Sequence, residues 1–265
     1  MPIEEQHCNS WEEFLNEASK NHKDTVYRGQ TDSAWGLKTT LERAGRNNEC
    51  FYDYYRAVLI ARPAIESYTN RQWTDVSREF DPQKIEPENL CSGGAALPGY
   101  QFMLHLRHHG FPSPFLDWTS SPFIASFFAF SQTKAAQCSV YAFREYDQPD
   151  SHEEFPMKTW SPGGPVICAL GPTIKTHERH YRQQAQYTIC INKTSDEPKT
   201  VAGDNIVFWS HEEGQCLNAK KYIFPTAQKK EVLQKFRQMN ITAHTLFGTE
   251  DALVESLAAD EYMLR

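Results

Sequence analysis

The stretch from Arg107 to Phe130 constrains the fold most. It compresses a helix end, a turn, a short apolar strand, a polar corner and an apolar helix into one run. Gly110 after His109 ends the first helix, because glycine enters the left-handed cap conformation without a Cβ penalty. Phe115 and Leu116 carry the chain inward. Ser120 or Ser121 caps the next helix, and Pro122 suits its first helical position. Phe123, Ile124, Phe127 and Phe128 give that helix an apolar stripe. Asp117, Trp118, Thr119 and Ser120 thereby sit beside a helix N-terminus, whose free N–H groups favour anions. Polar chemistry is placed at the mouth of an apolar core.

Around this corner the chain alternates helices and strands irregularly. Ser10 and Glu13 form a capping box ahead of Trp11, Phe14, Leu15 and Ala18, predicting a helix over 10–20. Thr25 to Tyr27 reads as a short strand ending at Arg28-Gly29-Gln30. Phe51, Tyr54, Tyr55, Val58 and Leu59 repeat at helical spacing and predict a helix over 49–60, with Pro63 interrupting or re-aiming it. Residues 70–98 lose periodicity and read as an exposed loop or lid, and 149–164 as a surface insertion. Strand-like runs follow at 139–143, 166–170, 187–191, 206–209 and 221–224, with one or two helical turns within 177–184. Pro225 and Thr226 start a helix that turns Val232, Leu233 and Phe236 inward. Residues 241–247 read as extended, and Thr249 caps a last helix burying Leu253, Val254 and Leu257. Strands scattered among helices without regular βαβ alternation predict an α+β chain. One domain over 1–265, with its core at about 24–259, accommodates all of it.

Composition narrows the function. The formal net charge is −7, so the total charge gives no general attraction to a nucleic acid backbone. Lys220, Lys221, Lys229, Lys230, Lys235 and Arg237 remain candidates for a local basic groove. The seven cysteines are odd in number and include no C-x-x-C pair. Reduced thiols in a cytoplasmic protein are expected. No apolar run approaches the roughly 20 residues a membrane span needs, and residues 1–8 carry no secretory pattern. P-loop, G-x-G-x-x-G, G-x-S-x-G and H-E-x-x-H motifs are all missing from the sequence. His105, His108 and His109 share a helical face, but no nearby Asp or Cys completes a metal site, so no metal is expected. Arg28 either grips a phosphate or carboxylate through two parallel hydrogen bonds or is a surface arginine paired with a glutamate. Read from spacing alone, Thr119 to Ser121 are capping hydroxyls, with a ligand contact by one of them as the alternative, Trp118 is either core or a stacking platform, and the glutamines of 183–186 either edge a strand or point into a cleft.

Tyr27-Arg28-Gly29-Gln30 with Trp35 resembles the opening motif of the FRG domain family, named for its Phe/Tyr-Arg-Gly signature. His108-His109-Gly110-Phe111-Pro112, Leu116-Asp117-Trp118-Thr119, Ser121-Pro122 and Phe127-Phe128-Ala129 resemble its central motif. Arg179 to Gln183 with Tyr187 resemble its third motif, and Asn240-Ile241 with Leu246-Phe247 its closing segment. The family's layout is similar, more loosely, to ADP-ribosyltransferases that use an arginine, a Ser/Thr-rich strand end and a glutamate. That resemblance implies a bent, split mixed or antiparallel sheet flanked by helices, with NAD as substrate. Its implied catalytic residues are Arg28, Thr119 and Gln183. Its implied NAD contacts are Tyr27, Arg28, Gly29, Gln30, His109, Asp117, Trp118, Thr119 and Ser120. It further implies a toxin or effector of bacterial stress or phage defence that modifies a protein or nucleic acid and is silenced by an antitoxin protein. Two departures stand out. Glutamine replaces the expected glutamate, leaving Glu178, Glu212 and Glu213 as alternative carboxylates. Ser113-Pro114-Phe115 replaces a common Thr-Arg-Leu. A non-catalytic module binding a nucleotide or protein in the same cleft is the alternative.

Overall fold

The computed structural model describes residues 3–21, 23–77, 97–144, 164–170, 178–193, 206–214 and 219–263. In chain order its elements are β1 (Glu4–His7), α1 (Trp11–Ala18), β2 (Val26–Gln30), α2 (Thr40–Arg43), α3 (Phe51–Thr69), α4 (Tyr100–His108), β3 (Phe115–Thr119), α5 (Pro122–Ser131) and β4 (Gln137–Phe143). Then come β5 (Val166–Ala169), α6 (Glu178–Arg182), β6 (Ala185–Lys193), β7 (Ile206–Phe208), β8 (Ala219–Pro225), α7 (Lys229–Gln238), α8 (Ala243–Phe247), α9 (Glu250–Ala258) and a π-helical turn (Ala259–Met263). The strands form one open sheet of eight, ordered β1-β8-β4-β2-β3-β6-β5, with β7 on β6. β1 and β8 run parallel and the remaining pairs antiparallel, so the sheet is mixed.

The sheet has a seam. β2 pairs with β4 over five residues, and β3 with β6 over five, but β2 meets β3 at the single register Tyr27↔Thr119. Each side of the seam has its own core on one face. Phe14, Phe130, Phe224 and Phe236 pack under the β1-β8-β4-β2 side with α1, α5 and α7. Tyr55, Phe102, Met103 and Tyr187 pack under the β3-β6-β5 side with α3 and α4. Leu37, Leu116, Trp118, Tyr141 and Phe143 cover the opposite face. Burying each large apolar side chain contributes about 1.5–3 kcal/mol, so these clusters dominate stability.

The central corner forms as its residues dictate. Gly110 ends α4 at φ 89°. Ser121 is the cap of α5, its Oγ accepting the N–H of Ile124, and Pro122 opens the helix. Gly29 then explains why α5 lies so close to the sheet. A Cβ there would sit 2.0 Å from the carbonyl oxygen of Ala125 and 2.7 Å from the nitrogen of Ala129. Only a hydrogen fits between β2 and the helix backbone.

Several expectations need correction. α3 runs through Pro63 to Thr69 unbroken. Pro63 is exposed, on the face of α3 turned away from the core. Residues 241–247 are not extended, because Thr242 and Thr245 form a capping box that starts α8. α9 turns Ala252 and Ser256 inward and leaves Leu253, Val254 and Leu257 exposed. Its neighbour α8 lies too close for larger side chains: Ser256 Oγ accepts the N–H of His244 at 3.0 Å. α7 starts at Lys229 rather than at Pro225, which ends β8. The ends of the 70–98 segment are core, with Trp73, Val76 and Leu97 buried, while 78–96 and 149–163 lie outside the described residues. β1 has no apolar alternation to announce it, and is registered by Lys221 to Glu5 at 2.8 Å and Lys220 to Glu4 at 3.5 Å. Cys8, Cys50, Cys138 and Cys190 are free thiols, whereas Cys168 is disulfide-bonded, against the expectation of reduced thiols throughout. Among the described residues no helix is long and apolar enough to cross a membrane.

Gly29→Ala forces β2 and α5 apart. The variant is expected to lose about 2–3 kcal/mol of stability, read as a lower urea midpoint at unchanged slope.

Candidate functional site

The seam opens into a cavity of about 290 Å³. Its lining comes from four places: β2 with Tyr27, Arg28 and Gly29; β3 with Asp117, Trp118 and Thr119; the helix ends at His108 and Phe128; and the distant Arg179, Gln183 and Phe247. Arg28, Thr119 and Gln183 therefore line one hollow. Gln30, His109 and Ser120 do not line it. Gln30 is buried and donates to the carbonyl of Gly36 at 3.2 Å. His109 caps α4 and packs on His105, with ring centroids 4.5 Å apart. Ser120 is exposed at the strand end. The three histidines of 105–109 part company: His105 lies 4.6 Å from the Trp73 ring, while His108 Nε2 meets the Tyr187 hydroxyl at 3.1 Å. Among the described residues no group of three or more His, Cys, Asp or Glu could hold a metal ion.

Arg28 bridges the seam. Asp117 and Tyr187 are opposite one another on β3 and β6, and the Tyr187 carbonyl is turned to Leu170. Such a pair exchanges no backbone bonds, so the Asp117 carbonyl faces β2. There it accepts from Arg28 Nη1 at 2.7 Å. Burial lowers the Arg28 pKa to about 10; Asp117 opposes that shift, and Arg107 and Arg43 reinforce it. The guanidinium is still positive at neutral pH, and its buried Nε has no hydrogen-bond partner among the described residues.

Asp117 carries the site's negative charge and is already engaged. Arg107, at the end of α4, grips it from both sides, Nε to Oδ1 at 2.6 Å and Nη2 to Oδ2 at 2.5 Å. Burial alone would raise the Asp117 pKa, but Arg107, with help from Arg28 and His108, outweighs it and holds the carboxyl below its usual range. Arg107 moves the other way: burial pulls it down, and Asp117 more than restores it. Burial pushes the Tyr187 hydroxyl up, so it stays protonated beside His108.

The far wall is aromatic and amide. Phe128 and Phe247 meet edge to face at 6.0 Å between centroids, and the Arg179 guanidinium lies 5.2 Å from the Phe247 ring centre. Gln183 Nε2 donates to the Leu246 carbonyl at 3.2 Å. A carbonyl requires a donor, so the amide orientation is fixed and Oε1 is the atom left to accept from a ligand. The other carboxylates considered lie off the cavity. Glu178 accepts from Arg182 at 2.6 Å, and Glu213 accepts from Trp209 Nε1 at 2.6 Å. Glu212 is exposed beside Gly36. The proposed basic groove is likewise dispersed, since Lys220, Lys221, Lys235 and Arg237 are all in ion pairs.

Residues 23–138 match the family model of the FRG domain. That segment is an FRG domain. No curated protein and no solved structure matches the chain. The FRG domain supplies Arg28, Gly29, His108, Asp117, Thr119 and Phe128 to the cavity, whereas Arg179, Gln183 and Phe247 come from beyond it. Arg107, His108, Arg179, Phe128 and Phe247 were not singled out as site residues from sequence. The usable signal was a buried-type arginine ten residues before Asp117, with an intervening turn that folds the two together.

Asp117→Asn leaves the Arg107 guanidinium buried without its counter-charge. Asp117 is itself 45% accessible, which discounts the loss to about 2–3 kcal/mol. Because the folded Asp117 pKa is depressed, this stabilisation is present above the unfolded value of about 3.9 and disappears as pH falls through the folded one. Denaturant titrations across acid pH should show the wild type losing its advantage over Asp117→Asn below about pH 4.

Proposed function

We infer that the chain is an NAD-dependent ADP-ribosyltransferase-like enzyme acting on a macromolecule. The observation carrying this reading is the meeting of Arg28, Thr119 and Gln183, far apart in sequence, on one cavity at the sheet seam. The lining suits the substrate. Arg28 and Arg179 offer positive charge to a diphosphate. Phe128 and Phe247 offer an aromatic wall for a flat ring. Gln183 Oε1 offers an acceptor for a ribose hydroxyl. A cavity of about 290 Å³ is small among ligand sites, so it would enclose one ring with its ribose and leave the rest of the dinucleotide outside.

In the reaction the bond from ribose C1′ to nicotinamide breaks, and nicotinamide leaves with the electron pair. An acceptor nucleophile bonds to C1′ and releases its proton. Gln183 would steady the developing positive charge through its carbonyl dipole, a weaker aid than a carboxylate. The effector role in stress or phage defence and the inhibitory protein partner belong to the same reading and rest on the family resemblance, and the cytoplasmic setting rests on the cysteine content. So does the finer description of the fold as a split ADP-ribosyltransferase-like sheet.

A second reading has its own support. Asp117 is the one carboxylate among the described lining residues, and Arg107 neutralises it. A site lacking an available carboxylate suits a module that binds a nucleotide without cleaving it. Incubation with NAD labelled on its adenylate, with lysate and nucleic acid as acceptors, separates the two. Transfer to macromolecules that falls at least about a hundredfold in Arg28→Ala supports the enzyme. Saturable NAD binding without transfer supports the module, and no NAD binding at millimolar concentration removes both.

A further inference from the structure

A second cavity, of about 310 Å³, lies on the far side of α5 and shares no lining residue with the first. Its body is apolar: Phe127 of α5, Leu233 of α7, then Ile241, Ala243, Ala258 and Ala259. The wall at Ala259 is the start of the π-helical turn, a departure from α-geometry that recurs at functional sites. Three cations and two carboxylates also line it, so its net charge is one positive. Arg237 is spent on Asp260. Glu255 accepts from the Gln132 amide at 2.6 Å. Lys134 and Lys229 remain. Lys229 Nζ donates to the Thr133 carbonyl at 2.9 Å, and no carboxylate pairs with either lysine among the described residues. Burial lowers the Lys229 pKa; Cys138 opposes that shift, and the charge of Lys134 adds a smaller lowering.

We propose that this cavity binds a small amphiphile, an apolar body carrying a single anionic head that lies between Lys134 and Lys229. The apolar lining contributes through water removed from its surface. The head supplies the missing negative charge, and one such charge makes the cavity neutral. A cationic amphiphile would instead raise the net charge of the lining to two positive. The proposal is independent of what the seam cavity does.

Decanoate, decanol and decyltrimethylammonium are the probes, titrated calorimetrically into the full chain below their micelle-forming concentrations. Decanoate is expected to bind saturably at one site, about tenfold or more tighter than either of the others. The double variant Lys134→Gln/Lys229→Gln should lose that preference for decanoate and bind decanol as the wild type does. Ala258→Leu, which fills the wall, should abolish binding of both. Circular-dichroism melts establish that each variant is folded, and the wild-type comparison of the three probes decides the matter even if a variant is not. Absence of saturable decanoate binding, equal affinity for decanol, or an unchanged decanoate affinity in the folded lysine variant overturns the proposal.

Discussion

A guanidinium takes the place of backbone pairing between β2 and β3, and the rest of the site depends on that exchange. Two strands that share one register position leave carbonyls facing a gap. An unsatisfied buried carbonyl is costly. Arg28 meets that cost by donating to Asp117 O across the opening. The same contact holds a positive charge at the floor of a cavity. The contact across the seam and the positive charge in the cavity thus reside in a single side chain, and neither can be altered without the other.

The second constraint is electrical. Asp117, Arg107 and Arg28 form a compact set in which Arg107 grips the carboxylate and Arg28 donates to the backbone carbonyl of the same residue. Arg107 is tied up by its two-point grip, so Asp117 presents little net charge to a ligand. What faces outward is the excess positive charge of Arg28, with Arg179 on the opposite wall. On the proposed reading an anionic ligand would complete this set, whereas a cationic one would have to displace Arg107 from Asp117. The protein as a whole is negative, so the attraction is local and short in range under salt.

The legible part of this structure was the part written in local signals. Gly110, Ser121 and Pro122 marked the corner because caps and turns are set by adjacent residues. The periodicity around Phe51 found α3, though not its length, since an exposed proline does not end a helix already held by its inner face. Position failed where a distant neighbour decides. Leu253, Val254 and Leu257 form a good apolar stripe, yet α8 packs closely only against Ala252 and Ser256, and the stripe faces outward. β1 is recruited by lysines more than two hundred residues away. Phe247 and Arg179 reach the cavity through tertiary packing of α6 and α8, which no spacing in the sequence encodes.

Gly29 gives the seam its rigidity. With the α5 backbone pressed on β2 at a distance only a hydrogen allows, the helix can neither approach further nor slide without losing contact along its length. Adjacent residues on a helix point about 100° apart. Phe128 therefore turns to the seam cavity while Phe127 turns to the second cavity. α8 and its cap divide in the same way, Thr242 and Ala243 on one side and Phe247 on the other. Two helices thus form a shared partition. That partition is pressed against the sheet at Gly29, so the aromatic wall of the seam cavity and the apolar wall of the second cavity are two sides of the same helices.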